Sequence, residues 1–229
     1  MIRAILFDFY DTLAHVDAET ILAGRRALAE RAGVDPEAMA TLWRETAHAR
    51  MLGQGGGLEA TIATMLAQLG RPAPPSLLPE LAAIEVDTWE RAVQLYPDAR
   101  LTLETLKARG YRLGVLSNCS DQAGYVIERA GLDHLFDTLA LSFRLGLAKP
   151  DPPIYEHALA ALGVQAAEAM FVADGAFGEL DAAQDLGIVA VLIEQERQSR
   201  AYGSSAHWDY QVDRLAAVPP LVEQLNTPR

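Results

Sequence analysis

Charged and polar side chains follow several of the short apolar runs in this sequence. Asp8 follows the run at residues 2–7, Ser117 ends the run at 112–117, and Asp174 follows the run at 169–173. Lys149 lies just before a predicted helix that begins near residue 153. Ligands of a doubly wound sheet bind beyond the carboxyl ends of its strands. We therefore expect Asp8, Ser117, Lys149 and Asp174 to meet in one ligand-binding pocket.

The elements that must position these residues alternate between strands and helices. Strands are predicted at 2–7, 112–117, 138–143, 169–173 and 188–194, and helices at 99–109, 122–130, 153–162 and 179–186. A surface loop at 197–205, a short strand and a helix at 219–225 are expected to follow. Buried parallel strands are apolar almost throughout, and such alternation is typical of a sheet covered on both faces. The predicted fold class is therefore α/β, with a Rossmann-like parallel sheet.

Residues 15–92 follow a different pattern. They hold no convincing strand, and amphipathic helices are predicted at 18–32, 36–51, 58–69 and 76–92. The glycine-rich segment 53–57 lacks the preceding strand and the Lys-Ser/Thr ending of a phosphate-binding loop, so we interpret it as a flexible connection. The predicted organisation is a core formed by 1–14 and 93–229, with an inserted α-helical cap at 15–92.

Composition excludes several classes of partner. The chain has 229 residues, half of them apolar, which is enough for a substantial core. Its 19 basic and 31 acidic residues give a net charge of −12, which disfavours nucleic acid as a partner. One cysteine, Cys119, cannot form an internal disulfide. With neither a secretory signal nor a membrane-length apolar run in view, we expect a cytoplasmic protein acting on a small anionic molecule.

Four motifs, taken in order, resemble those of the haloacid dehalogenase superfamily of hydrolases. They are FDFYDTL at 7–13, LSN at 116–118, AKPDPPIY at 148–155 and FVADGAFGEL at 171–180. The resemblance covers nearly the whole chain, including a helical cap inserted after the first motif. It implies a Rossmann-like core and a hydrolase.

The resemblance also implies a role for each matching residue. Asp8 matches the nucleophile, whose carboxylate forms a covalent intermediate. Thr12 and Ser117 match hydroxyls that hold the transferred group or the nucleophile, and Asn118 matches an amide that helps to orient substrate. Lys149 matches a cation that neutralises charge between nucleophile and substrate.

The last motif implies a metal ion. Asp174 and Glu179, five residues apart, match an acidic pair in which Asp is the commoner second member. Together with Asp8 they would offer hard oxygen ligands to Mg²⁺. The ion would let an anionic carboxylate approach an anionic phosphate. On this basis the chain is expected to be a Mg²⁺-dependent, phosphatase-like hydrolase of a small phosphorylated metabolite.

Tyr10 departs from the phosphatase pattern. Phosphatases of this superfamily carry there a second Asp, which protonates the leaving group and later activates water. A phenol with a reference pKa of about 10 is a poor base at neutral pH, and Asp11 occupies a position usually filled by Gly. Tyr10 instead resembles the 2-haloacid dehalogenases, which need no metal and use a cap arginine to hold the departing halide. Arg44, beside Trp43, lies in a similar place, although a solvated helix face also explains it.

Three hypotheses therefore remain open. The first is a Mg²⁺-dependent, phosphatase-like hydrolase, the second a metal-free 2-haloacid dehalogenase, and the third a catalytically weak member that binds a ligand or a protein. The acidic pair Asp174 and Glu179 favours the first. Two further anions beside Asp8, offset by Lys149 alone, would be costly without a metal ion.

Overall fold

The computed structural model describes residues 1–195 and 204–227, which form eight strands and eleven α-helices. The strands are β1 (Ala4–Phe7), β2 (Ala14–Val16), β3 (Val93–Leu95), β4 (Arg112–Ser117), β5 (Thr138–Leu141), β6 (Ala169–Ala173), β7 (Val189–Ile193) and β8 (Tyr210–Val212). The helices are α1 (Ala18–Ala32), α2 (Pro36–Glu45), α3 (Ala47–Met51), α4 (Leu58–Gln68), α5 (Leu78–Ala92), α6 (Ala99–Ala108), α7 (Gln122–Arg129), α8 (Ser142–Leu145), α9 (Pro152–Leu162), α10 (Glu179–Asp185) and α11 (Val218–Asn226). Most of the predicted surface loop, residues 197–203, lies outside the described residues.

Six of the strands form one parallel sheet in the order β5-β4-β1-β6-β7-β8. Side chains of β1 alternate between two hydrophobic clusters, with Ile5 and Phe7 in one and Ala4 and Leu6 in the other. Successive side chains of a strand point to opposite faces, so both faces of the sheet are covered. This arrangement confirms the predicted α/β fold, and it places β1 at the centre of the sheet.

The chain between β2 and β3 is helical and has a hydrophobic cluster of its own. The buried residues of that cluster all come from α1, α2, α4 and α5; they are Leu28, Ala29, Met39, Trp43, Ile62, Met65, Leu66 and Leu81. β2 and β3 pair in an antiparallel two-stranded sheet at the two ends of this helical segment. No helix among the described residues is both long enough and apolar enough to cross a membrane.

Three predicted elements differ from the structure. The sequence indicated no strand within residues 15–92, yet β2 includes His15 and Val16, because a three-residue strand is too short to show a period of two. The helix expected at 36–51 is divided at Thr46, whose hydroxyl donates to the Leu42 carbonyl oxygen at 2.8 Å. Such side-chain bonds to the preceding turn often bend a helix. The strand expected at 138–143 ends at Leu141, where α8 begins.

Candidate active site

The site is built on the carboxyl end of β1. The backbone N–H of Asp8 donates to the Val172 carbonyl oxygen at 3.0 Å, which continues the pairing of β1 with β6. A tight turn follows, in which the Asp11 N–H donates to the Ala14 carbonyl oxygen at 2.6 Å. Asp11 has a φ of 56°, in the left-handed region that glycine and, less readily, Asp adopt. The turn leaves Asp8 buried at the carboxyl end of β1, with its side chain 10% exposed.

Lys149 links two of the acidic residues. Its ammonium group donates to Asp8 Oδ1 at 2.7 Å and also to Glu179 Oε2. All three side chains are buried. Burial alone would lower the pKa of Lys149, but the negative charges of Asp8 and Glu179 outweigh burial and raise that pKa. Lys149 is therefore a fixed positive charge beside the Asp8 carboxylate.

Asp8, Asp174 and Glu179 form a buried carboxylate cluster in which one oxygen from each lies within 4.8 Å of the others. Burial and the negative charge of Asp8 raise the pKa of Asp174. Burial and the charges of Asp8 and Asp174 raise the pKa of Glu179 well above its usual value, although Lys149 opposes the shift. Three carboxylates with one lysine leave an excess of negative charge, which a divalent cation would balance.

Asn118 positions Lys149. Its side-chain amide donates to the Lys149 carbonyl oxygen at 2.8 Å, and its side-chain oxygen accepts from the Lys149 N–H at 2.8 Å. The predicted contact of Asn118 with substrate stays a prediction, since both polar atoms of the amide already hold the Lys149 backbone. Next to it, Cys119 is fixed by Ser142, whose hydroxyl accepts from the Cys119 N–H at 2.9 Å and donates to the Cys119 carbonyl oxygen at 3.0 Å.

Thr12 and Ser117 supply two buried hydroxyl groups. Neither hydroxyl oxygen has a hydrogen-bond partner among the described residues. Ser117 ends β4, beside β1, and Thr12 lies four residues after Asp8. A buried hydroxyl without a partner is unfavourable, so both groups are suited to a ligand that would complete their hydrogen bonds.

Tyr10 packs against aromatic neighbours. Its ring centroid lies 5.2 Å from that of Phe9 and 5.6 Å from that of Trp89 on α5, so it joins the sheet edge to the helical segment. Burial, with smaller effects of Cys119 and Asp8, raises the pKa of the Tyr10 phenol well above its usual value. The phenol therefore stays protonated and is suited to donate a hydrogen bond, not to act as a base.

The cap residues suggested by the sequence lie elsewhere. Arg44 is exposed and donates to the Thr41 hydroxyl at 3.0 Å, on its own helix. Trp43 is buried in the cluster of the helical segment, with Arg25 and Arg50 over its ring at 5.0 and 4.9 Å. No hydrogen bond or ion pair joins Arg44 or Trp43 to the carboxylate cluster in the described part of the chain, and their proposed contact with substrate stays a prediction.

Sequence reasoning did not single out three further charged residues: Arg25, Arg50 and Glu85. Arg25 lies four residues after Ile21 and three before Leu28, both buried positions of α1. Glu85 is fully buried, four residues after the buried Leu81 of α5. Both residues are charged but lie at the helical spacing of the buried apolar residues, and this pattern could have identified Arg25 and Glu85 from the sequence.

Phe177 is another residue that the sequence reasoning passed over. It lies between Asp174 and Glu179, its side chain is 43% exposed, and its φ is 57°. A large side chain in the left-handed region is uncommon outside tight turns and functional sites. Its signal in the sequence is an aromatic residue inside a glycine-rich acidic motif.

The sheet order, the acidic cluster and the buried lysine define a hydrolase of the haloacid dehalogenase type, and the chain belongs to that family. The family model for haloacid dehalogenase-like hydrolases matches residues 2–187. This match confirms the family that the four sequence motifs indicated.

Individual relatives include both dehalogenases and phosphatases. The chain is 29% identical to (S)-2-haloacid dehalogenase 4A of Burkholderia cepacia, over 96% of this chain and 95% of that protein. It is 28% identical to the glyceraldehyde 3-phosphate phosphatase of Methanopyrus kandleri, over 98% and 99%. The crystal structure of a 2-haloacid dehalogenase from Pseudomonas syringae has the same fold, with a TM-score of 0.71, 24% identity and coverage of 98% and 100%.

Proposed function

We propose that this hydrolase is phosphatase-like and Mg²⁺-dependent, and that Asp8 attacks the phosphorus of a small phosphorylated metabolite. The observation that supports it best is the buried cluster of Asp8, Asp174 and Glu179, which has one lysine to balance three carboxylates. Ions buried without compensation cost several kcal/mol each, and a divalent cation removes that cost.

The residues of the cluster fit Mg²⁺. They offer only carboxylate oxygens, which are the hard ligands that this ion prefers, and they converge within 4.8 Å. Asp8, Asp174 and Glu179 are the residues that would hold it. When bound, the ion would reduce the repulsion between the Asp8 carboxylate and an anionic phosphate group.

The chain's own residues account for two chemical steps. In the first, an Asp8 oxygen forms a bond to phosphorus while the ester P–O bond breaks, and the alkoxide released takes a proton from water. In the second, water attacks the phosphorus of the aspartyl phosphate, the Asp8–phosphorus bond breaks, and inorganic phosphate leaves. Lys149 holds Asp8 in place, and Thr12 and Ser117 offer hydroxyl groups to the phosphate oxygens.

We further propose that residues 15–92 act as a cap on the core formed by 1–14 and 93–229. Supporting contacts join the two parts: α3 lies against α8, α5 lies against α7, and Tyr10 packs on Trp89. The separate hydrophobic cluster of the helical segment supports motion of that segment as a unit. Closure of such a cap would exclude water from the site.

Tyr10 favours a second candidate, a 2-haloacid dehalogenase. In that reaction Asp8 would attack carbon and halide would leave, so no acid is required at position 10. A relative named as such a dehalogenase aligns over 96% of the chain, which supports keeping this candidate. The exposed position of Arg44, bonded to Thr41, does not favour it.

One pair of assays separates these candidates. Purified protein is given 4-nitrophenyl phosphate with Mg²⁺ and, in parallel, 2-chloropropionate with a chelator present. Phosphate release that requires Mg²⁺ and is lost in Asp8→Asn is the expected result. Halide release that is insensitive to chelator would overturn the proposal in favour of the dehalogenase. Silence in both assays, with a ligand still bound, would favour a catalytically weak binding member.

The substitution Tyr10→Asp tests the account of the first motif. It supplies the acid that phosphatases of the family carry, so phosphatase turnover is expected to rise, within the roughly 10²- to 10⁴-fold range of general acid–base catalysis. Tyr10→Phe is the matched control, because it keeps the contact with Trp89 and removes only the hydroxyl. A turnover no higher in Tyr10→Asp than in Tyr10→Phe contradicts the account.

A further inference from the structure

Two arginines lie on either side of one tryptophan inside the helical segment. The guanidinium of Arg25 is 5.0 Å from the Trp43 ring centroid, and that of Arg50 is 4.9 Å from it. Arg25 has a carboxylate partner, since its Nη2 is 3.5 Å from Glu85 Oε1. Arg50 instead donates to the Trp43 carbonyl oxygen at 2.9 Å and to the Thr46 hydroxyl at 3.4 Å.

Arg50 is therefore held in place without an anionic partner. It forms no ion pair with any carboxylate among the described residues, and Glu85 and Asp121 attract it only from further away. Burial and the positive charge of Arg25 lower the pKa of Arg50 to about 10, so the guanidinium remains charged at neutral pH. A fixed, charged and unpaired guanidinium is prepared to bind a carboxylate.

Arg50 lines a cavity of about 220 Å³ that also touches the core. Gly53, Gln54 and Thr61 line it from the helical segment, and Asp121 and Phe143 line it from the core. Asp121 follows β4 and Phe143 follows β5, so the cavity lies beyond the carboxyl ends of β4, which pairs with β1, and of β5, the next strand outward. With strands spaced about 4.8 Å apart, β4 and β5 end about 5 and 10 Å to one side of β1, so the cavity opens on the same end of the sheet as Asp8.

The charges that line this cavity are of both signs. Asp121 is half-buried, and no hydrogen bond or ion pair joins it to the other described residues. The cavity thus brings together one guanidinium and one carboxylate that do not form an ion pair with each other. A ligand that carries a carboxylate and an ammonium group on the same carbon atom would pair with both.

We propose that this cavity binds the zwitterionic end of the substrate, an α-amino acid group whose carboxylate pairs with Arg50 and whose ammonium group pairs with Asp121. The substrate is then a phosphorylated amino acid whose phosphate reaches Asp8 through a short carbon chain. This inference rests on the proposed reaction at Asp8, which determines where the phosphate lies.

Three phosphonates with the same four-carbon length test the inference, because they are not hydrolysed. They are butylphosphonate, 4-phosphonobutyrate and 2-amino-4-phosphonobutyrate, and binding to the Mg²⁺-loaded full chain is measured by calorimetry. Each charge-assisted hydrogen bond is expected to tighten binding about tenfold or more, so affinity should rise in the order given. Arg50→Met should remove the advantage of the carboxylate, and Asp121→Asn should remove only that of the ammonium group.

Two exposed residues give matched controls: Arg26→Met and Asp185→Asn make the same substitutions away from the cavity and should leave all three affinities unchanged. Binding of butylphosphonate is the internal control for a folded site, and Arg50→Lys, which keeps the charge, should restore part of the carboxylate preference. Equal affinities for the three phosphonates in the wild-type protein, or a preference that survives both variants, overturn the inference. If butylphosphonate binds and 4-nitrophenyl phosphate is hydrolysed, the proposed function still stands in that case. If none of the three binds, the inference is overturned, and the proposed function falls with it only if 4-nitrophenyl phosphate is not hydrolysed either.

Discussion

Replacing the buried lysine of the site is expected to lower the stability of the fold far more than replacing a lysine at the surface. Lys149 is paired with Asp8 at 2.7 Å and with Glu179, and its side chain is 2% exposed. Lys149→Met keeps most of the side-chain volume but leaves three buried carboxylates without a counter-charge. Deleting one partner of a buried pair costs about 3–5 kcal/mol. With metal chelated, the free energy of unfolding of Lys149→Met should therefore be lower than that of the wild-type protein by that amount.

Lys107→Met is the matched control. Lys107 pairs with Asp137 at a similar distance, 2.6 Å, but its side chain is 34% exposed, and such surface pairs contribute about 0–1 kcal/mol. Urea unfolding followed by far-ultraviolet circular dichroism measures both variants. With a slope of about 3 kcal/mol per molar, the midpoint should shift by about 1–1.7 M for Lys149→Met and by less than about 0.4 M for the control.

Two conditions should reduce the loss in Lys149→Met. Saturating Mg²⁺ binds the folded state, and at about one hundred times its Kd it would restore about 2.7 kcal/mol. Lower pH acts through Asp174 and Glu179, whose pKa values are raised in the folded protein. The folded state then binds more protons than the unfolded state, so stability rises as pH falls through the raised values. If Lys149→Met and Lys107→Met shift the midpoint equally at pH 7 with metal chelated, the charge argument is refuted.

Three other predictions concern residues outside the carboxylate cluster. Burial raises the pKa of Cys119 to about 12, so at pH 8 its thiol should react with a disulfide reagent about a thousandfold more slowly than a free thiol. Unfolding the protein with urea should remove this difference, and comparable rates in the folded protein would contradict the burial of Cys119. Gly53→Ala should lower the free energy of unfolding by about 1–3 kcal/mol, because φ is 69° and a Cβ would lie 2.2 Å from a backbone oxygen of the core. Gly57→Ala is the control, since Gly57 also has a positive φ but no such neighbour, and it should cost less stability when both variants are unfolded with urea. Burial opposes the shift, but the hydrogen bond from Lys107 lowers the pKa of Asp137, so this carboxylate contributes stability that is lost as pH falls through its lowered pKa. Between pH 6 and 3, the Tm of Asp137→Asn should therefore fall less than the Tm of the wild-type protein.

The sheet was predictable because its strands are buried on both faces. Residues 112–117 and 169–173 form continuous apolar runs, and the structure places β4 and β6 there with the same bounds. The pairing of β2 with β3 could not be predicted, because each strand has only three residues. The division between α2 and α3 depends on one hydroxyl, that of Thr46, whose bond to the preceding turn leaves no trace in the apolar pattern.

The site was predictable where it depends on strand ends and less so where it depends on side-chain direction. Ser117 ends a strand and Asp8 and Asp174 follow strands, so the topology of a parallel sheet brings them to the same end of it. Arg44 was chosen for its position next to Trp43, but neighbouring residues of a helix point about 100° apart. Since Trp43 is buried, Arg44 faces solvent.

The position of Arg50 was within reach of the same helical reasoning. It lies seven residues after Trp43, which is close to two full turns, so the two side chains share a face of the helical segment. The structure agrees, with Arg50 over the Trp43 ring. The carboxylate that lines the cavity with it, Asp121, comes from the core, and no helical period relates residues of two separate parts of the chain.

The first and last motifs favour different reactions, and the sizes of the two effects decide between them. Tyr10 in place of an acid costs a phosphatase a factor of about 10² to 10⁴ in rate, which slows the reaction without preventing it. Three buried carboxylates with one lysine impose a cost of several kcal/mol per uncompensated ion on the folded state itself, whatever the substrate. In a metal-free dehalogenase the folded state would always be destabilised by that amount, whereas a metal-dependent phosphatase with Tyr10 would only have a lower reaction rate. The acidic pair Asp174 and Glu179 therefore carries more weight than Tyr10 in the choice of the proposed function.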